Sequence, residues 1–137
     1  MSASVLPEVL SNSTPSNPKG SIKDEQTRER WVEELLYDLM LFPNYKGYAL
    51  LKEAILMLAS DVSLGGSLWS RVYPAIAEKH GLKPQTVNKN IQFAVDKICA
   101  NNSQETLVRI LGESILNVPR LTSAKFISIC AARARLG

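Results

Sequence analysis

The sequence predicts an all-α domain of about six helices, and three observations carry that prediction. Apolar residues recur at intervals of three and four from about residue 21 to the end of the chain. No segment alternates apolar and polar residues between hairpin turns, as strands do. The 137 residues are 45% hydrophobic and 21% charged, which is enough apolar material for one domain with a proper core.

Residues 1–20 precede this helical pattern and are rich in Ser, Pro and Asn, with no sustained periodicity. Such a segment buries too little apolar surface to offset the entropy lost on ordering. We therefore predict a flexible arm over 1–20 and a single helical domain over 21–137.

The first predicted helix covers 21–40 and carries an apolar stripe at helical spacing, formed by Val32, Leu35, Leu36 and Leu39. The break after it contains Pro43, and Asn44 is expected to cap a second helix running from about Tyr45 to Ser60. Residues 61–66 are predicted to form a connecting loop.

The remaining helices are placed by proline and glycine. Pro74 is expected to kink the third helix or to begin a new first turn, Pro84 suits the first turn of the fourth, and Gly112 suits the end of the fifth. The predicted ranges are about 67–80, 84–100, 104–111 and 122–135.

The third and fourth helices have the pattern of a helix-turn-helix, over about 67–100. That motif needs a small residue where the helices meet, a residue tolerant of positive φ in the turn, and an apolar residue inside the second helix. Ala77, Gly81 and Val87 meet these needs in order. The residues expected to complete the interior are Ile76, Leu82 and Ile91.

The outer face of the fourth helix is rich in amides instead of the Glu and Lys of an ordinary solvated face. Short donors and acceptors suit base edges in the major groove, and lysine suits phosphate or guanine. The predicted DNA-binding residues are Lys83, Gln85, Thr86, Asn88, Lys89, Asn90, Gln92 and Phe93. We expect Lys89 and Gln92 to reach base edges, and Gln85 and Thr86 to contact the backbone. Phe93 is expected either to touch a thymine methyl or to pack under a neighbouring helix.

Charge is distributed unevenly along the chain, although its net value is only +3. Residues 21–40 hold three basic and six acidic residues, whereas 70–97 and 101–137 each hold five basic and two acidic residues. A basic majority behind an acidic leading helix favours a protein that meets a polyanion on one side.

An enzyme is not expected, and neither is a cofactor, a metal site or a small-molecule substrate. His80 is the only histidine and lies at the end of a predicted helix, where a cation meets the helix dipole favourably. Cys99 and Cys130 are expected to be buried free thiols in a reducing cytosol. No run approaches the roughly 18 apolar residues of a membrane span, so a cytoplasmic protein is expected.

Three stretches of the chain resemble a known family: "FPNYKGYALLKEAI" (42–55), "DVSLGGSLWSRVYPAIAEKHGLKPQTVNKNIQFAVDKI" (61–98) and "ILGESILNVPRLTSAKFISICAARARL" (110–136). They resemble the C-terminal effector domain of the stage zero sporulation protein A family, over about Leu39 to Leu136. The resemblance implies a bacterial transcription factor of sporulation, with a six-helix DNA-binding fold and the helix after Gly81 as the reader.

Two departures accompany this resemblance. The family's reading helix is rich in arginine, whereas Thr86, Lys89 and Gln92 stand here, and Asn88 replaces a family glutamate. Because arginine favours guanine and amides favour adenine, a different DNA sequence is expected. The family's receiver domain has no counterpart in these residues, so control by phosphorylation in cis is not expected.

Two partners are expected besides double-stranded DNA. One is a second copy of the chain, with a protein that is monomeric or weakly dimeric in solution and binds its site as two copies. The other is a protein that docks on the acidic helix 21–40. Alternatively, this helix covers the core of its own domain. The competing function is a helical protein-interaction module that has lost base-specific reading.

Overall fold

Six α-helices account for most of residues 22–136, which are the part of the chain that the computed structural model describes. They are α1 (Ile22–Asp38), α2 (Tyr48–Ser60), α3 (Tyr73–His80), α4 (Pro84–Asn101), α5 (Gln104–Leu111) and α6 (Ser123–Leu136). No strand occurs within 22–136, which confirms the all-α prediction. The predicted arm 1–20 and the two ends of the predicted domain, Ser21 and Gly137, lie outside the described residues.

The core is built around α2, which contacts α1, α3, α4 and α6. Leu51, Ala54 and Ile55 of α2 are fully buried, as are Phe126 and Ile127 of α6. The predicted stripe of α1 is buried against them, so this helix covers the core of its own domain. Each large apolar side chain removed from water in this way stabilises the fold by roughly 1.5–3 kcal/mol.

Polar contacts hold α1 in place at two points. The Lys52 ammonium of α2 donates to Glu29 at 3.0 Å and to Glu33 at 2.8 Å. Burial alone would lower the pKa of Lys52, but its hydrogen bonds to Glu33 and Glu29 and the attraction of their charges together outweigh that effect and raise the pKa. Beyond the last turn of α1, the amide of Asn102 donates to the Leu39 carbonyl at 2.8 Å, which ties this end of the helix to the end of α4.

The turn before α2 corrects the prediction that Asn44 caps this helix. The helix begins at Tyr48, and the residue before it is Gly47, with φ +88° and no side-chain cap. A Cβ on Gly47 would overlap the carbonyl oxygen of Asn90, so the turn lies directly on the backbone of α4. Only glycine combines this left-handed conformation with so close an approach.

Two 3-10 turns and one π-helical turn change the predicted bounds of the loop 61–66, of the third helix and of the segment after α5. The predicted loop 61–66 contains a 3-10 turn, Val62–Gly66, begun by Asp61, which accepts from the Ser63 N–H at 3.0 Å. The predicted third helix starts with a π-helical turn, Leu68–Val72, and Pro74 then lies in the first turn of α3. Gly112 ends α5 at φ +102°, as predicted. A second 3-10 turn, Glu113–Ile115, follows it.

Both cysteines are free thiols, but they differ in exposure. Cys130 is buried, as expected, whereas Cys99 is only half-buried. Burial raises the pKa of both thiols. Among the helices within 22–136, none is both long and apolar enough to cross a lipid bilayer.

We predict a graded effect of alanine at three glycines. Gly47→Ala should lower the free energy of unfolding by about 2–4 kcal/mol, because it combines left-handed strain with overlap on Asn90. Gly81→Ala should cost about 1 kcal/mol, since φ is +67° but the space around it is open. Gly66→Ala, with open space and no positive φ, is the control and should cost less than either. Urea denaturation measures all three, and equal costs at Gly47 and Gly66 would contradict the close approach to α4.

Candidate nucleic-acid interface

The joint between α3 and α4 is closed by backbone hydrogen bonds around Gly81. Gly81 has φ +67°, and the N–H of Leu82 donates to the Ala77 carbonyl at 2.8 Å. This arrangement is typical of a glycine that ends a helix. Ala77 and Val87 are buried at the joint, in agreement with the predicted packing.

Ile76 and Ile91 complete the interior of the joint, but the prediction for Leu82 is wrong. Its side chain is 37% exposed, whereas those of Ile76 and Ile91 are 1% and 0% exposed. Leu82 lies in the short connection between the helices, where its N–H closes the turn and its side chain stays at the surface.

The helix α4 presents two contrasting sides. Its inner side is fully buried and consists of Val87, Ile91, Ala94, Val95 and Ile98. Its outer side carries Gln85, Lys89 and Phe93, which are exposed and spaced by four residues, so they form one line along the helix. We call these three residues the exposed stripe. Phe93 is 50% exposed, so its ring is not buried under a neighbouring helix.

The beginning of α4 has no side-chain cap. Lys83 occupies the cap position in an extended conformation, and Pro84, which has no N–H, lies in the first turn. The first helical N–H groups therefore belong to Gln85 and Thr86. A helix N-terminus of this kind attracts anions such as phosphate, and the exposed Lys83 adds a positive charge beside it.

Gln92 is half-buried and fully engaged within the chain. Its oxygen accepts from the Ser123 N–H at 2.7 Å. Its nitrogen donates to Asp96 Oδ1 at 3.0 Å and to the Leu121 carbonyl at 3.1 Å. A carboxamide has two N–H donors, and both are used here. The structure thus brings Gln92 to α6 and not to the exposed stripe.

Asn88, Thr86 and Asn90 lie on the flanks of α4 and are half-buried. Asn88 Oδ1 accepts from the Ser123 hydroxyl at 2.9 Å, so it faces α6 together with Gln92. Asn90 lies on the other flank, where its carbonyl meets Gly47. Four of the eight predicted contact residues are exposed: Lys83, Gln85, Lys89 and Phe93.

Sequence reasoning missed the two residues that complete the contact with α6. Ser123 is 5% exposed and Tyr73 is 1% exposed, and their hydroxyl oxygens are 3.2 Å apart. Burial raises the pKa of the Tyr73 phenol, and the hydrogen bond with Ser123 partly opposes this. Thr122 accepts from the Lys125 N–H at 3.2 Å, a capping pattern that the sequence shows but that does not identify Tyr73 as the partner of Ser123.

Two ion pairs lie near the ends of α3 and α4. Arg120 binds Asp96 at 2.8 Å, which neutralises the carboxylate on the outer side of α4. His80 contacts Glu53 of α2 at 2.7 Å, so it links two helices. Within the described part of the chain, His, Cys, Asp and Glu side chains form no group of three that could hold a metal ion.

The family model described as sporulation initiation factor Spo0A C terminal matches residues 32–134. The chain belongs to this family. The match begins within α1 and extends through α2, α3, α4 and α5 into the last turns of α6, so it covers both helices of the joint.

Membership in the Spo0A C-terminal family confirms the resemblance seen in the sequence. The family consists of DNA-binding domains of transcription factors and is not a family of enzymes. DNA binding, transcription regulation and sporulation therefore describe this chain at the level of its family. The first half of α1 precedes the matched residues.

We predict that Phe93 contributes little to folding although it is a large apolar residue. Phe93→Ala should change the free energy of unfolding by less than about 1 kcal/mol, because the side chain is half exposed. Phe126→Ala is the matched comparison and should cost about 3–5 kcal/mol, since Phe126 is fully buried. Thermal and urea unfolding measure both. A large loss for Phe93→Ala would mean that this residue belongs to the core.

Proposed function

We propose that this protein is a sequence-specific regulator of transcription that binds double-stranded DNA, with α3 and α4 as a helix-turn-helix and α4 in the major groove. One observation carries the proposal: α4 is buried along its inner side and holds the exposed stripe on its outer side. A helix anchored on one side and open on the other has the shape that enters a major groove.

The exposed stripe carries three kinds of group that base edges recognise. The Gln85 amide both donates and accepts, as adenine recognition requires. Lys89 is a donor to guanine or to phosphate, and Phe93 offers an apolar surface for a thymine methyl. We therefore assign base contacts to the stripe, with Lys89 at its centre, which moves Gln85 from the backbone contact expected from the sequence to a base contact. Thr86 and Asn90, at the edges of the stripe, are assigned to the DNA backbone.

Phosphate contacts have a separate basis at the beginning of α4. The uncapped helix end and Lys83 together offer backbone N–H groups and a positive charge. Such contacts fix the position of a protein on the duplex without reading its sequence.

The competing function, a helical interaction module, has less support. In that hypothesis the acidic amphipathic helix 21–40 docks on another protein, but its apolar stripe, Val32, Leu35, Leu36 and Leu39, is buried within this chain. What α1 leaves exposed is an acidic surface with Tyr37, whose side chain is 65% exposed. A partner on this surface would meet charge and one aromatic ring, not an apolar stripe.

We predict that Lys89→Ala weakens binding to the preferred DNA site by roughly 1–3 kcal/mol. The preferred site is first selected from a random duplex library, and affinities are then measured by fluorescence anisotropy over a range of salt concentrations. Arg30→Ala is the control, because it removes the same charge from the acidic surface of α1. It should change the affinity little.

The salt series also tests the proposal as a whole. The logarithm of the affinity should fall linearly with the logarithm of the salt concentration, because phosphate contacts release counterions. If micromolar protein binds no duplex at low salt, the proposed function is wrong. If Lys89→Ala weakens binding to selected and random duplexes equally, Lys89 contacts phosphate and does not read bases.

We also predict that two copies of the protein bind one natural site. A single reading helix covers few base pairs, so useful affinity requires neighbouring half-sites. Light scattering of the saturated complex should give a mass of two chains per duplex, whereas the free protein should be monomeric or weakly dimeric. A complex that stays at one chain per duplex as protein concentration rises would contradict this prediction.

A further inference from the structure

Four polar side chains meet where α3, α4 and α6 join, and the proposed reading of DNA does not use them. They are Tyr73, Asn88, Gln92 and Ser123, which we call the junction cluster. The Ser123 hydroxyl lies 3.2 Å from the Tyr73 hydroxyl and 2.9 Å from Asn88 Oδ1. The Ser123 N–H donates to Gln92 at 2.7 Å.

The burial of this cluster makes its hydrogen bonds costly to break. Tyr73 and Ser123 are almost inaccessible to water, so a broken bond would leave a buried hydroxyl without a partner. Gln92 is engaged through three hydrogen bonds, and one of them satisfies the N–H of the first residue of α6. If Gln92 turned towards a base, it would lose all three.

The hydrogen bonds of the junction cluster are directional, whereas the apolar contacts of α4 are not. Apolar burial is non-directional, so the inner face of α4 permits small rotations about the helix axis. Hydrogen bonds weaken steeply with angle, so bonds from Asn88 and Gln92 to one residue of α6 fix that rotation.

We infer that Asn88 and Gln92 are positioning residues, which set the rotation of α4 through Ser123 and Tyr73 and so determine DNA specificity without touching a base. The inference rests on the proposed function. It changes the role first predicted for Gln92, because the base-reading task falls to the exposed stripe alone.

The size of the effect follows from the geometry of a helix. Side-chain ends lie about 5–6 Å from the helix axis. A rotation of roughly 10° therefore moves them by about 1 Å, which exceeds the tolerance of about 0.5 Å for a well-placed binding group. Attraction to phosphate is long-ranged and survives such a shift. Damage to the junction cluster should therefore lower the preference for the selected site more than it lowers binding to random DNA.

The first test compares Ser123→Ala with Ser128→Ala. Both changes remove one hydroxyl from α6, but Ser128 is exposed and lies outside the cluster. Affinities for the selected site and for a random duplex are measured at one salt concentration on protein shown to be folded by circular dichroism. We expect Ser123→Ala to lose about five- to tenfold on the selected site and less than twofold on random DNA. Ser128→Ala should change neither.

The second test uses Gln92→Ala in a new selection from the random library. A residue that reads one base relaxes the preference at one position of the site. A positioning residue should lower the preference at several positions together, with no single position released alone. The selection thus distinguishes the two roles directly.

Three results would overturn the inference. They are an unchanged affinity for the selected site in Ser123→Ala, an equal loss on both kinds of DNA in the same variant, and relaxation at a single position in Gln92→Ala. If Ser123→Ala does not fold, Tyr73→Phe replaces it under the same criteria, because it removes one hydroxyl and keeps the ring. If the unsubstituted protein prefers no DNA sequence, the proposed function itself is contradicted. If the unsubstituted protein prefers its selected site and the variants show the same preference, only this inference is contradicted.

Discussion

The arrangement of the domain depends on how closely Gly47 approaches the backbone of α4. At this point two segments meet without a side chain between them, because a Cβ on Gly47 would overlap the Asn90 carbonyl. On the opposite flank of α4, Ser123 holds Asn88 by a hydrogen bond. The helix is thus fixed between a steric contact on one side and a polar contact on the other. The apolar core buries the inner side of α4, and these two contacts meet its two flanks.

The different sides of α4 consequently make different kinds of contact. The inner side of α4 provides apolar burial, its flanks provide the contacts that fix its position, and the exposed stripe is left for a ligand. The end of α4 adds a further connection, since the Asn102 amide donates to the carbonyl of Leu39 just after α1. The helix that we propose to read DNA is therefore tied by side-chain hydrogen bonds to α6 and to the residue after α1.

The sequence predicted the fold well because helical periodicity, glycine and proline act locally. The ends of α5 and the turn at Gly81 follow from residues within a few positions of each other. The interior position assigned to Leu82 failed because this residue lies in the short connection between α3 and α4, whereas the misplaced cap at Asn44 failed for a tertiary reason. Gly47 begins α2 because α4 lies against it, and no local pattern contains that information.

The candidate site was likewise predictable where it depends on local periodicity and not where it depends on distant partners. The exposed stripe follows from a period of 3.6 residues, which separates it from the buried side of α4. The engagement of Gln92 could not be predicted, because its partners Leu121 and Ser123 are 29 and 31 residues away along the chain. Since the stripe bears none of the contacts that hold α4, Gln85, Lys89 and Phe93 can change in evolution at little cost to the fold. Under the proposed function, a lineage can thus acquire a new DNA target sequence by drift at three surface positions while the scaffold that presents them stays intact.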